Sequence, residues 1–152
     1  MRIVRVLQNI SCRRLDTMFP DVITDSVQEG GANFMVRKTE TAFVPNLRGG
    51  EGTIEIRHIL SKEELMGHGS MYAHVIIPPK ASLGFHQHVG NTEPYYVLKG
   101  NGIFVDNDGS RTKIHPGDVC VIEVGQSHAI ENPGNDPLEI MALVINEAGK
   151  CD

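Results

Sequence analysis

His86-Gln87-His88-Val89-Gly90-Asn91-Thr92-Glu93 and, further on, Gly125-Gln126-Ser127-His128-Ala129-Ile130-Glu131-Asn132 decide how this chain is read. In a strand, side chains two residues apart point to the same face, so His86 and His88 can reach one ion together. Glu93 follows His88 by five residues, an odd separation that an unbroken strand would put on the wrong face. Gly90-Asn91 lies between them and can supply the turn or bulge that resets the phase. His128 stands 35 residues beyond Glu93, and two hairpins can bring it back alongside.

Outward from this stretch, short strand-like runs separated by Gly, Pro and Asn dominate. Thr53–Leu60 alternates, with Ile54, Ile56, His58 and Leu60 on one face. Ser61-Lys62-Glu63-Glu64 reads as a capping box opening one short helical turn that Gly67 stops. Met71–Ile77, Tyr95–Lys99, Ile103–Val105, Arg111–Ile114, Val119–Val124, His128–Asn132 and Leu138–Asn146 follow as strands. Asp106-Asn107-Asp108-Gly109 is a hairpin turn and no calcium loop, since an EF-hand beginning at Asp106 needs Gly where Arg111 stands and Glu where Gly117 stands. Before these runs, 34–44 is a candidate strand and Arg48-Gly49-Gly50-Glu51-Gly52 a flexible connection. The pattern predicts an all-β sandwich or barrel.

The same residues resemble the paired motifs of the cupin superfamily. His86-Gln87-His88, Glu93 and Gly100 match the first motif, and Gly117, Gly125, His128 and Asn132 match the second. Two positions depart from the family pattern: Lys80 replaces a usual Gly, and Glu123 a usual Pro. The resemblance implies a single jelly-roll barrel, the double-stranded β-helix, over residues 51–146, with an N-terminal arm at 1–50 and a tail at 147–152. It also implies a divalent metal held by His86, His88, Glu93 and His128. Imidazole with carboxylate suits iron, manganese, zinc, nickel, cobalt or copper, and an ion preferring six ligands would keep two positions for substrate, oxygen or water. Proteins of this kind often add an N-terminal strand to a neighbouring subunit, which closes an open sheet edge, so a homodimer is the expectation.

Tyr95 follows Glu93 by two and is expected on the inward face near the metal. His58, on an apolar strand face, and His74, between two apolar faces, are candidates for moving a proton. Asn132 is expected to fix strand geometry, Gln126 to line the pocket mouth or occupy a turn, and Phe85 and Met71 to pack in the core or wall. The 152 residues suit one domain, and the net charge of −5 with scattered Lys and Arg argues against a nucleic-acid-binding face. No apolar run approaches a membrane span and none reads as a secretion signal, because Arg5 breaks Ile3–Leu7. Cys12, Cys120 and Cys151, odd in number and without CxxC, point to reduced thiols in a cytoplasmic protein.

Three functions follow from the resemblance. A metal-dependent enzyme on a small oxygen-rich chelating substrate, narrowly a dioxygenase, leads. A redox-neutral isomerase or lyase comes second, and a non-catalytic small-molecule binding or sensor module third. No GxGxxG phosphate cradle argues for a nucleotide cofactor.

Overall fold

The computed structural model describes residues 35–148. Contacts divide the chain between Arg37 and Lys38, and every described strand lies in the unit that follows. The described residues form ten strands: β1 (Glu40–Pro45), β2 (Thr53–Leu60), β3 (Gly69–Ile77), β4 (Ser82–Gln87), β5 (Asn91–Lys99), β6 (Gly102–Val105), β7 (Arg111–Ile114), β8 (Val119–Ile122), β9 (Ser127–Glu131) and β10 (Leu138–Asn146). They form a six-stranded sheet in the order β1-β2-β3-β10-β5-β8 and a four-stranded sheet in the order β4-β9-β6-β7. All pairings are antiparallel.

Alternation along the strands builds the interior. On β10, Leu138, Ile140, Ala142 and Val144 are buried while their neighbours are partly exposed, and Ala73, Val75 and Ile77 do the same on β3. From the other sheet, Leu83, Phe104, Ile114 and Ile130 join them in one apolar cluster. The core therefore lies between the two sheets, as a jelly roll requires.

Asn132 ties the two sheets together. It is fully buried beyond the end of β9, and its Nδ2 donates to Ile77 O at the end of β3 and to Asp136 O, both at 2.8 Å. Its Oδ1 accepts from Gly134 N at 3.0 Å. Its geometric role is as the sequence suggests.

Several local readings change in detail. Ser61 and Glu64 do form the reciprocal capping bonds, Ser61 N to Glu64 Oε2 at 2.8 Å and Glu64 N to Ser61 Oγ at 3.3 Å. Gly67, at φ +76°, then turns the chain before a helix can propagate, and residues 62–67 are turns. β8 ends at Ile122 because Glu123 and Gln126 close a turn, Glu123 N donating to Gln126 Oε1 at 2.8 Å and Gln126 N to Glu123 O at 3.0 Å. Asp106–Gly109 is the expected hairpin turn, with Gly109 at φ +82°. β1 pairs with β2 inside this chain, so residues 40–45 belong to the barrel's larger sheet. The expected exchange of an N-terminal strand between subunits falls largely on residues 1–34, outside the described residues, as do Cys12 and Cys151.

Asn132→Ala strands one buried and two partly buried backbone groups at once and should lower stability by ~1–3 kcal/mol. Urea unfolding of the full chain measures it; a change below ~0.5 kcal/mol would remove Asn132 from this role.

Candidate metal centre

The two sheets deliver the four donors from different directions. β4 and β9 pair so that His86 lies opposite His128. His88 continues that ladder past the end of β4, its N donating to Gln126 O at 2.9 Å and its O accepting from Gly125 N at 2.7 Å. β5, in the other sheet, brings Glu93 across the interior. The phase reset expected at Gly90-Asn91 is present: Gly90 takes φ +75° and β5 begins at Asn91.

The donors converge. One ligand atom from each of His86, His88, Glu93 and His128 lies within 4.8 Å of all the others. His88 Nε2 is 3.1 Å from His128 Nε2 and 3.1 Å from Glu93 Oε2, and His128 Nε2 is 3.4 Å from the same oxygen. Two atoms each ~2.1 Å from a common ion lie ~3.0 Å apart at a right angle and ~3.4 Å at the tetrahedral angle. The observed spacings match the edges that such a coordination polyhedron would have.

The outer nitrogens show that the residues fit such an ion. His86 Nδ1 lies 3.0 Å from Gly84 O, and His88 Nδ1 lies 2.6 Å from Asn91 Oδ1. Both partners are acceptors, so each imidazole carries its proton on Nδ1 and, when neutral, turns an Nε2 lone pair inward. Lone pairs and a carboxylate facing one point at ~3 Å repel unless protons or a cation sit among them. His128 differs: its Nδ1 is buried with no hydrogen-bond partner among the described residues. Packing holds that ring instead, against Tyr95 at 5.3 Å and stacked on Phe104 at 5.7 Å between ring centroids.

Charge is arranged for the same purpose. Glu93 is only 3% exposed, and burial alone would push its carboxyl up. Hydrogen bonds from His128, His88 and Tyr95 outweigh burial and hold it down to about 2. The hydrogen bond to Glu93 raises the His88 imidazole above its ordinary value against the effect of burial. Burial lowers His86, with the bond to Gly84 opposing. Burial, then the Glu93 charge, pushes the Tyr95 hydroxyl well above its usual range, so Tyr95 stays protonated and donates to Glu93.

A cavity of about 340 Å³ opens onto this cluster, with His86, His88, Glu93 and Tyr95 on its wall. Neither His58 nor His74 is among the lining residues. His74 points out of the barrel between inward Ala73 and Val75, and its Nε2 lies 2.9 Å from Glu139 Oε2. The apolar residues on both faces of β3 hid that direction. His58 sits half-buried beside Ala73, where a register shift between His58 and Leu60 disturbs the β2–β3 ladder. The proton-moving role expected of this pair has no geometric support. Phe85, expected in the core or wall, is 52% exposed because a bulge between Leu83 and His86 shifts the phase of β4. Met71 does line the cavity. Asn91, which orients His88, reads in sequence only as a turn residue, and Arg48, at the cavity wall, only as part of a connection, because strand periodicity exposes neither contact.

Relatives place this geometry in a family. A model described as "Cupin domain" matches residues 73–145. The "Oxalate-binding protein" of Thermotoga maritima is 43% identical over 117 residues, 76% of this chain and 96% of that protein. The chain belongs to the cupin superfamily. A crystal structure of a "predicted oxalate decarboxylase" from Thermotoga maritima superposes on this cupin with TM-score 0.68 at 42% identity, covering 71% of this chain and 93% of that one. A "Cupin 2 conserved barrel domain protein" from Salinispora arenicola, at 22% identity and TM-score 0.54 over 62% of this chain and 77% of that one, shares the fold.

Replacing His88 or His128 with Ala should remove most bound metal, and Glu93→Gln should weaken binding less, because an amide oxygen still coordinates. Elemental analysis of protein purified without chelator reads this out; full metal stoichiometry in a His86→Ala/His88→Ala double variant would refute the ligand set. Metal binding should also strengthen with pH. His88 must be neutral to ligate, and its raised pKa lets protons compete at higher pH than for a free imidazole. Manganese titrations by calorimetry between about pH 6 and about pH 8 should gain up to about tenfold in affinity per unit while His88 holds its proton. A flat profile would contradict the assignment.

Proposed function

We propose that this cupin captures a small, oxygen-rich carboxylate of the oxalate class on a divalent cation held by His86, His88, Glu93 and His128. The observation that carries the reading is that three of the four clustered donors, His86, His88 and Glu93, line the cavity, so the open coordination positions of a six-ligand ion would face its interior. A bound divalent ion would supply Lewis acidity and two positions for chelating oxygens. The Thermotoga maritima oxalate-binding protein, 43% identical over most of both chains, supports the ligand class.

The chain's own residues favour capture over proton-transfer chemistry. Outside the four donors, the cavity wall holds no carboxylate and no imidazole. Tyr95 is kept protonated and committed to Glu93, which makes it a positioning residue for the carboxylate. An isomerase or lyase needs a free group to take and return a proton, and apart from Tyr95 and Lys62 this wall offers none of the usual ones. Ile56, Val75, Ile140 and Val144 instead exclude water from the donors' open side. Oxygen-dependent oxidation is the second reading, since it asks for no protein acid or base and the apolar wall suits it.

Oxalate should raise the melting temperature of the manganese-loaded chain and leave the His86→Ala/His88→Ala variant unmoved. Saturation at a hundred times Kd corresponds to about 2.7 kcal/mol of stabilisation. Oxalate recovered unchanged with no oxygen uptake supports capture, whereas oxygen consumed in step with product supports oxidation. No shift with oxalate at any metal loading would overturn the ligand class.

A further inference from the structure

The connection between β1 and β2 reads in sequence as a flexible glycine-rich linker, but it is a fixed shelf laid against β4. Asn46 N donates to Gly52 O at 2.8 Å, Ser82 N to Glu51 O at 2.9 Å, and Glu51 N to Ser82 Oγ at 3.0 Å. The backbones approach so closely that a methyl group on Gly50 would overlap Ser82 O, and one on Gly84 would overlap Arg48 O. Only glycine fits at either contact.

Arg48 sits at the crest of this shelf. Its backbone is left-handed, φ 55° and ψ 27°, a conformation disfavoured for a non-glycine residue that persists where the surroundings enforce it. The side chain is exposed, lines the same cavity as the metal donors, and forms no ion pair among the described residues. Lys62, on the turn after β2, lines the cavity as well. The wall thus holds two cations beyond the donor cluster, and its one carboxylate, Glu93, belongs to that cluster.

We propose that Arg48 selects ligands with two anionic ends: a 2-oxo- or 2-hydroxycarboxylate head on the metal side and a second carboxylate at the guanidinium. This rests on the reading of the metal side as a carboxylate site. A planar guanidinium pairs with a carboxylate through two parallel hydrogen bonds, and an unpaired one at a cavity wall is preset to do so. The cavity, about 340 Å³, falls within the ~300–1,000 Å³ range of pockets that hold drug-sized ligands, more room than a two-carbon diacid fills. Ile56, Met71, Val75, Ile140 and Val144 provide an apolar wall for the intervening carbons.

The test is calorimetric titration of the manganese-loaded full chain with 2-oxoglutarate, with the singly charged 2-oxopentanoate, and with oxalate. The dianion should bind at least about tenfold more tightly than 2-oxopentanoate. Arg48→Gly should abolish that preference, leaving manganese content and the affinities for 2-oxopentanoate and oxalate unchanged. Glycine suits the left-handed backbone, so the melting temperature should hold, and Arg48→Lys should keep part of the preference. If oxalate and 2-oxopentanoate bind but the dianion gains nothing, or Arg48→Gly keeps the preference, the role of Arg48 is wrong and the carboxylate site stands. If none of the three binds the loaded protein, both readings fall together.

Discussion

A carboxylate and two imzidazole rings buried inside an apolar barrel are costly unless their charges and lone pairs are satisfied, and this constraint organises the rest of the molecule. Glu93, His88 and His128 are all buried, with donor atoms 3.1–3.4 Å apart. Protons shared among them satisfy the cluster in part, holding the Glu93 carboxyl down and the His88 imidazole up. A divalent cation satisfies it more completely, because every inward atom is then a ligand. Outward nitrogens on His86 and His88 are committed to acceptors, so the rings turn their Nε2 edges inward.

Holding four side chains to such tolerances demands rigidity from both sheets. The β4–β9 ladder sets His86 against His128, while β5 carries Glu93 and Tyr95 on its inward face. Asn132 joins the end of β3 to the chain beyond β9, linking the sheets near the base of the same ladder. The shelf before β2 closes on β4 through glycine contacts, bringing Arg48 to the cavity that the donors share. Few of these elements are replaceable alone, since each fixes the orientation of another.

Much of this was legible in the residues. Period-two alternation located β2 at its full extent, a nearly continuous apolar run located β10, and the Asp108-Gly109 turn located β7. The metal donors were legible through the resemblance of their spacing to the paired cupin motifs, with strand geometry accounting for the shared face of His86 and His88. What escaped depends on contacts between distant segments. Alternation cannot orient His74, whose neighbours are apolar on both sides, and it miscounts at Phe85, where a bulge shifts the phase. Arg48 lies among glycines that look like a linker, and only their close approach to Ser82 and Gly84 reveals the shelf.

The central claim, a metal ion bound by His86, His88, Glu93 and His128, is tested most directly by anomalous diffraction from crystals of the manganese-loaded protein. The account predicts one strong peak at the metal edge within bonding distance, ~2.0–2.3 Å, of three imidazole nitrogens and a Glu93 oxygen. A well-ordered crystal with no peak there, or with the ion held by other residues, would contradict it.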